Sequence, residues 1–406
     1  MTWFTHRLLA GLRGLAVLTA VALAVGSASA FFLWALDAVT RFRFAHPGLL
    51  FLLPVGGLVV GALYEIYGKS ASGGNRLLIA EIQGPAANVP RRMAPLILLG
   101  TLVTHLCGGS AGREGTAMQM GGSFAASFAR LFHLDAGAAR ILLMAGVAAG
   151  FGSVFGTPVA GAVFALEVVR VGRVKSAALV PCVFASFLAD WICRAWGAEH
   201  TQYHVQPLAA GALGNPWLVG KIILVSAVFG GVALLFSTLS HRMSHAFKIY
   251  VPRPEFRPVV GGVCVIGLFF LCGNSHYLGL GVLAEHPGSL TLPSFFTGSP
   301  VPASAWAWKL VFTVITLGAG FKGGEVTPLF YIGAALGNAL AVFLGGPTDL
   351  FAALGFVAIF AGAAKTPLAA IFLGMELFGT GLGIYIAIAC FVAWRCSGSK
   401  GIYTAR

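Results

Sequence analysis

The chain has 406 residues, 58% of them hydrophobic and only 10% charged, with a formal net charge of +13. A water-soluble domain carries charge on about a quarter of its residues, so this composition excludes a soluble globule and requires lipid over much of the outside. The basic excess is split into clusters between apolar runs and forms no continuous patch, which excludes nucleic acid as a partner.

In chain order, the first apolar run follows Arg7 and ends near Ala28-Ser29-Ala30. Its outline resembles a cleavable signal, but the spans that follow can insert themselves, and it reads as a retained first membrane helix. Leu15–Leu36, Ile141–Val169, Trp217–Leu239 and Leu350–Met375 are each long enough to cross the ~30 Å hydrocarbon layer. Ala94–Cys107 and Val259–Cys272 fall short of the ~20 residues a straight span needs. The expected fold is therefore an all-α polytopic membrane protein with short, tilted and broken helices. Basic clusters at Arg41/Arg43, Arg91/Arg92, Arg170/Arg173/Lys175, Arg242–Arg257 and Arg395–Arg406 read as cytoplasmic loops under the positive-inside rule. Cys107, Cys182, Cys193, Cys264, Cys272, Cys390 and Cys396 show no paired spacing. They suggest neither a disulfide nor a metal site, and no cofactor is expected.

The chain repeats itself. Gly156-Thr157-Pro158 through Glu167 matches Lys365-Thr366-Pro367 through Glu376, at an offset of 367 − 158 = 209. Gly112-Arg113-Glu114-Gly115-Thr116 matches Gly323-Gly324-Glu325-Val326-Thr327, at 325 − 114 = 211. The loop after Glu167 is basic and the loop after Glu376 has no charge, as expected if the halves face opposite sides. The expected organisation is an inverted repeat: a first membrane half over 1–241, a basic linker over 242–257 and a second membrane half over 258–406. Substrate sites in such folds form between the halves near the midplane.

An anion crossing hydrocarbon must exchange its water for fixed donors, and backbone N–H groups at helix starts are already oriented for that task. Three glycine-rich starts precede apolar runs, at Gly73–Leu77, Gly108–Thr116 and Gly318–Pro328. Glu114 opens the second; an intramembrane carboxylate is functional by default, although an acid at a helix start can also merely complement the dipole. Ionised, it would occupy an anion site; protonated, it would leave and carry a proton. Glu325 lies two residues before Thr327-Pro328, with a structural pairing to Lys322 as its other reading. Thr327 and Asn75 offer donors or serve as caps. Glu167 and Glu376, at helix ends, read as structural.

These motifs together, across nearly the whole chain, resemble the CLC family of anion channels and transporters. The resemblance makes Glu114 the gating glutamate and proton carrier, and it places Gly112, Gly115, Thr116 and Val326 at the anion pathway. Tyr403 matches the family's C-terminal tyrosine, whose hydroxyl reaches the central anion site. Several positions depart from the chloride pattern: Thr116 in place of proline, Asn75 in place of serine, Glu325-Val326-Thr327 in place of an apolar element, and Val168 where many antiporters have an inner glutamate. The departures resemble the fluoride/proton antiporter branch, which implies roles for Glu325 in the inner proton and anion step and for Thr327 in binding. The resemblance further implies a homodimer in the cytoplasmic membrane, with both termini in the cytoplasm. Fluoride export driven by proton entry is the leading expectation, ahead of chloride/proton exchange or a passive anion channel. An intramembrane enzyme is a remote alternative, for the chain has no HExxH and no aspartate-rich metal motif.

Overall fold

Prolines and left-handed residues cut the long apolar runs of this chain into helices. The computed structural model describes residues 2–84, 88–169, 176–206, 215–297 and 301–403. Fifteen α-helices follow one another among these residues. The first eight are α1 (Thr2–Ala45), α2 (Leu53–Tyr67), α3 (Asn75–Gln83), α4 (Met93–Leu106), α5 (Glu114–Leu131), α6 (Ala136–Phe155), α7 (Pro158–Glu167) and α8 (Ser176–Ala195). Then come α9 (Pro216–Tyr250), α10 (Arg257–Cys272), α11 (Ala305–Gly318), α12 (Val326–Leu344), α13 (Thr348–Ala364), α14 (Pro367–Phe378) and α15 (Gly383–Cys396). Seven helical segments are long and apolar enough to cross a membrane, and the protein is a multi-pass membrane protein.

Two of the expected spans are corrected by their breaks. Ile141–Val169 is not one helix: α6 stops at Gly156, which sits at φ 73°, and Pro158 starts α7. Leu350–Met375 divides in the same way at Lys365, at φ 62°, before Pro367. A proline at the first helical position has no N–H to extend the preceding ladder, so each Thr-Pro pair restarts the chain in a new direction. Lysine in a left-handed conformation is strained, and its side chain explains its presence. Lys365 Nζ donates to the Ser397 carbonyl at 2.9 Å, the Ser397 hydroxyl at 2.7 Å and the Gly398 carbonyl at 2.7 Å, fastening the C-terminal tail.

The two sets of helices mirror each other. α1 packs on α6 and α8, as α9 packs on α13 and α15; α5 packs on α6 as α12 packs on α13. The closest approaches also correspond. A Cβ on Gly121 or Gly146 would overlap the backbone of the other's helix, as would one on Gly333 or Gly355. Small residues let apolar helices touch backbone to backbone where water gives no hydrophobic drive. Residues 242–250 of the basic segment continue α9, leaving only a short connection before α10. Arg170, Arg173 and Lys175 lie outside the described residues.

Inversion of the repeat is visible in two carboxylates. Glu376, near the end of α14, accepts hydrogen bonds from the N–H groups of Val159 at 2.9 Å and Ala160 at 2.8 Å in the first turn of α7. Glu167, at the end of α7, accepts from Leu368 at 3.1 Å and Ala369 at 2.8 Å in the first turn of α14. Only antiparallel neighbours can cap each other in this way. Each acid satisfies orphan donors and complements the positive end of its partner's dipole. We expect Glu376→Ala to destabilise the protein by about 2–4 kcal/mol, read as a lower thermal midpoint in detergent. Glu376→Gln, which keeps one acceptor oxygen, should lie between it and the wild type.

Candidate anion-binding site

The two glycine-rich motifs of the repeat meet. Gly112 N–H donates to the Gly324 carbonyl at 2.6 Å, and Gly324 N–H donates to the Gly112 carbonyl at 2.7 Å, forming an isolated antiparallel bridge between the entries to α5 and α12. The approach requires glycine on both sides. A Cβ on Gly112 would lie 2.7 Å from Glu114 Oε2 and 3.0 Å from the Gly324 carbonyl, and one on Gly324 would lie 2.8 Å from Gly115 N. A Cβ on Gly115 would meet Asn75 Nδ2 at 3.0 Å, which brings the start of α3 to the same point. Three helix N-termini thus converge, each with first-turn N–H groups that have no intrahelical acceptor. Together they make a positive pole with donors aimed inward.

Glu114 occupies that pole. Its side chain is fully buried. Oε2 accepts from Thr327 N–H at 3.0 Å and from Arg113 N–H at 3.1 Å, and Oε1 accepts from the Thr327 hydroxyl. Arg113 Nε stands 3.8 Å from Oε1. Two backbone donors, a hydroxyl and a guanidinium surround this carboxylate, a donor set that a small anion could also use.

A cavity lies on each side of this plug. One, of about 470 Å³, is lined by Arg113 with Arg43, His200 and Glu285. The other, of about 180 Å³, is lined by Asn75, Gln119, Gly323, Glu325 and Tyr403. Glu114 lines neither, but its neighbour Arg113 lines the first, and Gly323 and Glu325, close in the chain to its partner Thr327, line the second. Of the basic clusters, Arg41 and Arg43 line the cavity of Arg113. Arg92 Nη2 instead donates to Ser70 Oγ at 3.0 Å, beside Ala71 and Ser72 of the smaller cavity.

The remaining candidate residues are placed as follows. Val326 and Thr327 are buried in the first turn of α12. Gly115 packs against Gly324 and Asn75, whereas the N–H of Gly112 is engaged in the bridge. The Thr116 hydroxyl turns away from the pole to Thr101 Oγ1 on α4, at 2.7 Å; Thr101 itself donates to the Ile97 carbonyl, so Thr116 is the donor of the pair. Glu325 has no ion pair with Lys322 among the described residues. That lysine's Nζ lies instead 3.9 Å from the Tyr64 ring centroid, so the structural pairing considered for Glu325 does not form. Asn75 Oδ1 and the Tyr403 hydroxyl are buried without a protein partner, and both residues line the smaller cavity.

Sequence reasoning missed four residues. Gln119 lines the smaller cavity four residues beyond Gly115; as a polar side chain one turn into an apolar helix, helical spacing could have flagged it. Arg113 was noted only as part of a motif. Arg76 and His241 could not be linked from sequence, being 165 residues apart. Arg76 Nη2 donates to His241 Nδ1 at 3.1 Å, and His241 Nε2 stands 3.1 Å from the Gly401 carbonyl. An arginine only donates, so Nδ1 is the acceptor and Nε2–H is the donor. This chain joins the start of α3 to the tail two residues before Tyr403.

The fold and its plugged pole define a membrane protein built to bind an anion between inverted halves. The profile described as "Voltage gated chloride channel" matches residues 56–398, and the chain belongs to this family, the CLC anion channels and transporters. It is 46% identical over 394 residues to the "Chloride/fluoride channel protein" of Pseudomonas syringae pv. tomato (strain ATCC BAA-871 / DC3000), covering 97% of this chain and 86% of that one. Its fold matches the crystal structure of a CLC-type fluoride/proton antiporter with TM-score 0.89 and 34% identity, over 96% of both chains. It is also 28% identical to the "H(+)/Cl(-) exchange transporter ClcA" of Yersinia pestis bv. Antiqua (strain Angola), over 70% of this chain and 61% of that one.

Alanine at Gly112 tests the pole. No left-handed conformation is required there, so the substitution adds bulk without backbone strain. We expect Gly112→Ala to elute as a folded protein with a lowered thermal midpoint, because its Cβ crowds Pro328 Cδ and the Gly324 carbonyl. Anion flux in reconstituted vesicles should fall on the order of tenfold or more.

Proposed function

We propose that the protein is a fluoride/proton antiporter that exports fluoride from the cytoplasm as protons enter. The observation that carries this reading is the carboxylate of Glu114 seated on the Thr327 and Arg113 donors between two cavities. An anion cannot take those donors while the carboxylate holds them. A proton on Glu114 removes its charge and frees the site, so one residue ties the two ions together. Glu325 and Tyr403 line the smaller cavity and supply the inner proton and anion step there, with Asn75 as a third contact.

Fluoride is small, hard and strongly hydrated, and it needs short charge-assisted donors to replace its water. Glu325-Val326-Thr327 and Asn75 add polar groups where the chloride pattern has an apolar element and a serine. The fluoride/proton antiporter structure, similar over nearly the whole chain, supports the same anion. Chloride/proton exchange is the second reading, favoured by the exchange transporter of Yersinia pestis; its alignment covers less of both chains. A passive channel lacks a role for a carboxylate buried so completely.

The smaller cavity faces the cytoplasm in this account. Arg92, His241 and the tail beyond Lys400 gather on its side, in keeping with the positive-inside rule. α1 ends at the other cavity, which supports a cytoplasmic start of the chain, on the same side as the tail. We place the protein in the cytoplasmic membrane as a homodimer with one pathway in each subunit. Exposed apolar side chains of α8, α14 and α15, among them Val183, Phe372 and Ile384, offer the surface.

Flux from proteoliposomes, followed by fluoride and pH electrodes together, is the test. Wild-type protein should move protons against fluoride in a fixed ratio. Glu114→Gln should abolish proton movement, with fluoride either leaking or stopped. Chloride flux equal to fluoride flux in the wild type would transfer the account to the second reading.

A further inference from the structure

The larger cavity contains a cation that the exchange scheme leaves unused. Arg43, in the last turn of α1, is only 6% exposed. Its Nε is buried without a hydrogen-bond partner, and its guanidinium makes no ion pair among the described residues. Its Cζ lies 4.7 Å from the Phe44 ring centroid, and it lines the cavity. A guanidinium has five donors and keeps its charge. With Nε buried and unpaired and no ion pair formed, it is unfavourable unless an anion completes the site.

The surroundings are matched to an anion. Arg113 lines the same cavity, and its Nε is also buried without a hydrogen bond. Fully buried Lys309 of α11 donates from Nζ to the Tyr277 and Gly279 carbonyls at 3.2 and 2.8 Å, beside the loop that lines the cavity. The acids at this cavity are mostly engaged. Asp37 pairs with Arg41 at 2.7 Å, and Glu285 accepts from Ser275 Oγ at 2.6 Å, with His286 Nε2 at 3.9 Å. Glu199 is the remaining acid of the lining. About 470 Å³ is far more than a bare halide requires, leaving room for an ion that retains part of its water.

We infer that this cavity is a second anion site, in which Arg43 holds a small monovalent anion, a halide, one step outside the pole occupied by Glu114. Arg113 lies between the two positions, touching the cavity on one side and Glu114 on the other. The anion released when Glu114 returns to its donors is received there, so export proceeds through two positively charged stations. The identity of the transported anion rests on the proposed function, but binding at Arg43 does not.

Crystals of the full chain soaked in sodium bromide test the site. An anomalous bromide peak should appear within hydrogen-bonding distance of the Arg43 guanidinium in the wild type and vanish in Arg43→Met. In proteoliposomes the same variant should raise the half-saturating anion concentration on that side about tenfold or more, with the proton ratio unchanged. Arg43→Lys, which keeps the charge, should restore most of the affinity. No peak beside Arg43 in the wild type, or a peak that persists in Arg43→Met, overturns the inference; if the Met variant does not fold, the wild-type peak decides. Anion flux without protons in the wild type would sink the exchange reading and leave the bromide result standing.

Discussion

One set of donors with two claimants organises this protein. Thr327 N–H, the Thr327 hydroxyl and Arg113 N–H can coordinate a carboxylate or an anion, and here Glu114 has them. Hydrocarbon provides no water to replace a lost partner, so the donors must always be filled and the negative charge must always be held. That constraint makes occupancy exclusive. It also explains why the pole is made of backbone: peptide dipoles at helix starts offer positive potential without a mobile counter-charge that could leave with the ion.

The inverted repeat exists to make such a pole. Two glycine-rich entries, 211 residues apart by 325 − 114, approach from opposite directions and bond to each other through Gly112 and Gly324. The first half supplies the starts of α3 and α5 and the second the start of α12, so neither half alone surrounds the site. Glu167 and Glu376 fasten a second pair from the two halves, α7 and α14, by capping each other's helices reciprocally. Gly121, Gly146, Gly333 and Gly355 permit the close contacts of α5 with α6 and of α12 with α13. Rigidity there matters because a halide is small and a displaced donor misses it.

Much of this was legible from residues alone, for stated reasons. The apolar runs, the duplicated Thr-Pro and glycine-acid motifs, and the charge difference between matching loops follow from the bilayer's demands on any chain. The breaks at Gly156 and Lys365 were less visible: a run such as Ile141–Val169 satisfies hydropathy whether or not it bends, and only the Thr-Pro pair marks the restart. Side-chain direction was not legible. The turn of Thr116 toward Thr101 and the engagement of the Gly112 N–H depend on packing between elements far apart in sequence. So does the place of Arg41 and Arg43 beside Arg113 in one cavity, which no local motif announces.

Exclusive occupancy has a thermodynamic signature that does not require transport. If fluoride displaces the Glu114 carboxylate, and the displaced group takes up a proton, binding must draw protons from solution. Calorimetric titration of the purified protein with fluoride, repeated in buffers of different ionisation enthalpy, measures that number directly. The account predicts net proton uptake on binding in the wild type and none in Glu114→Gln. Fluoride binding to the wild type with no proton uptake at any pH would contradict it.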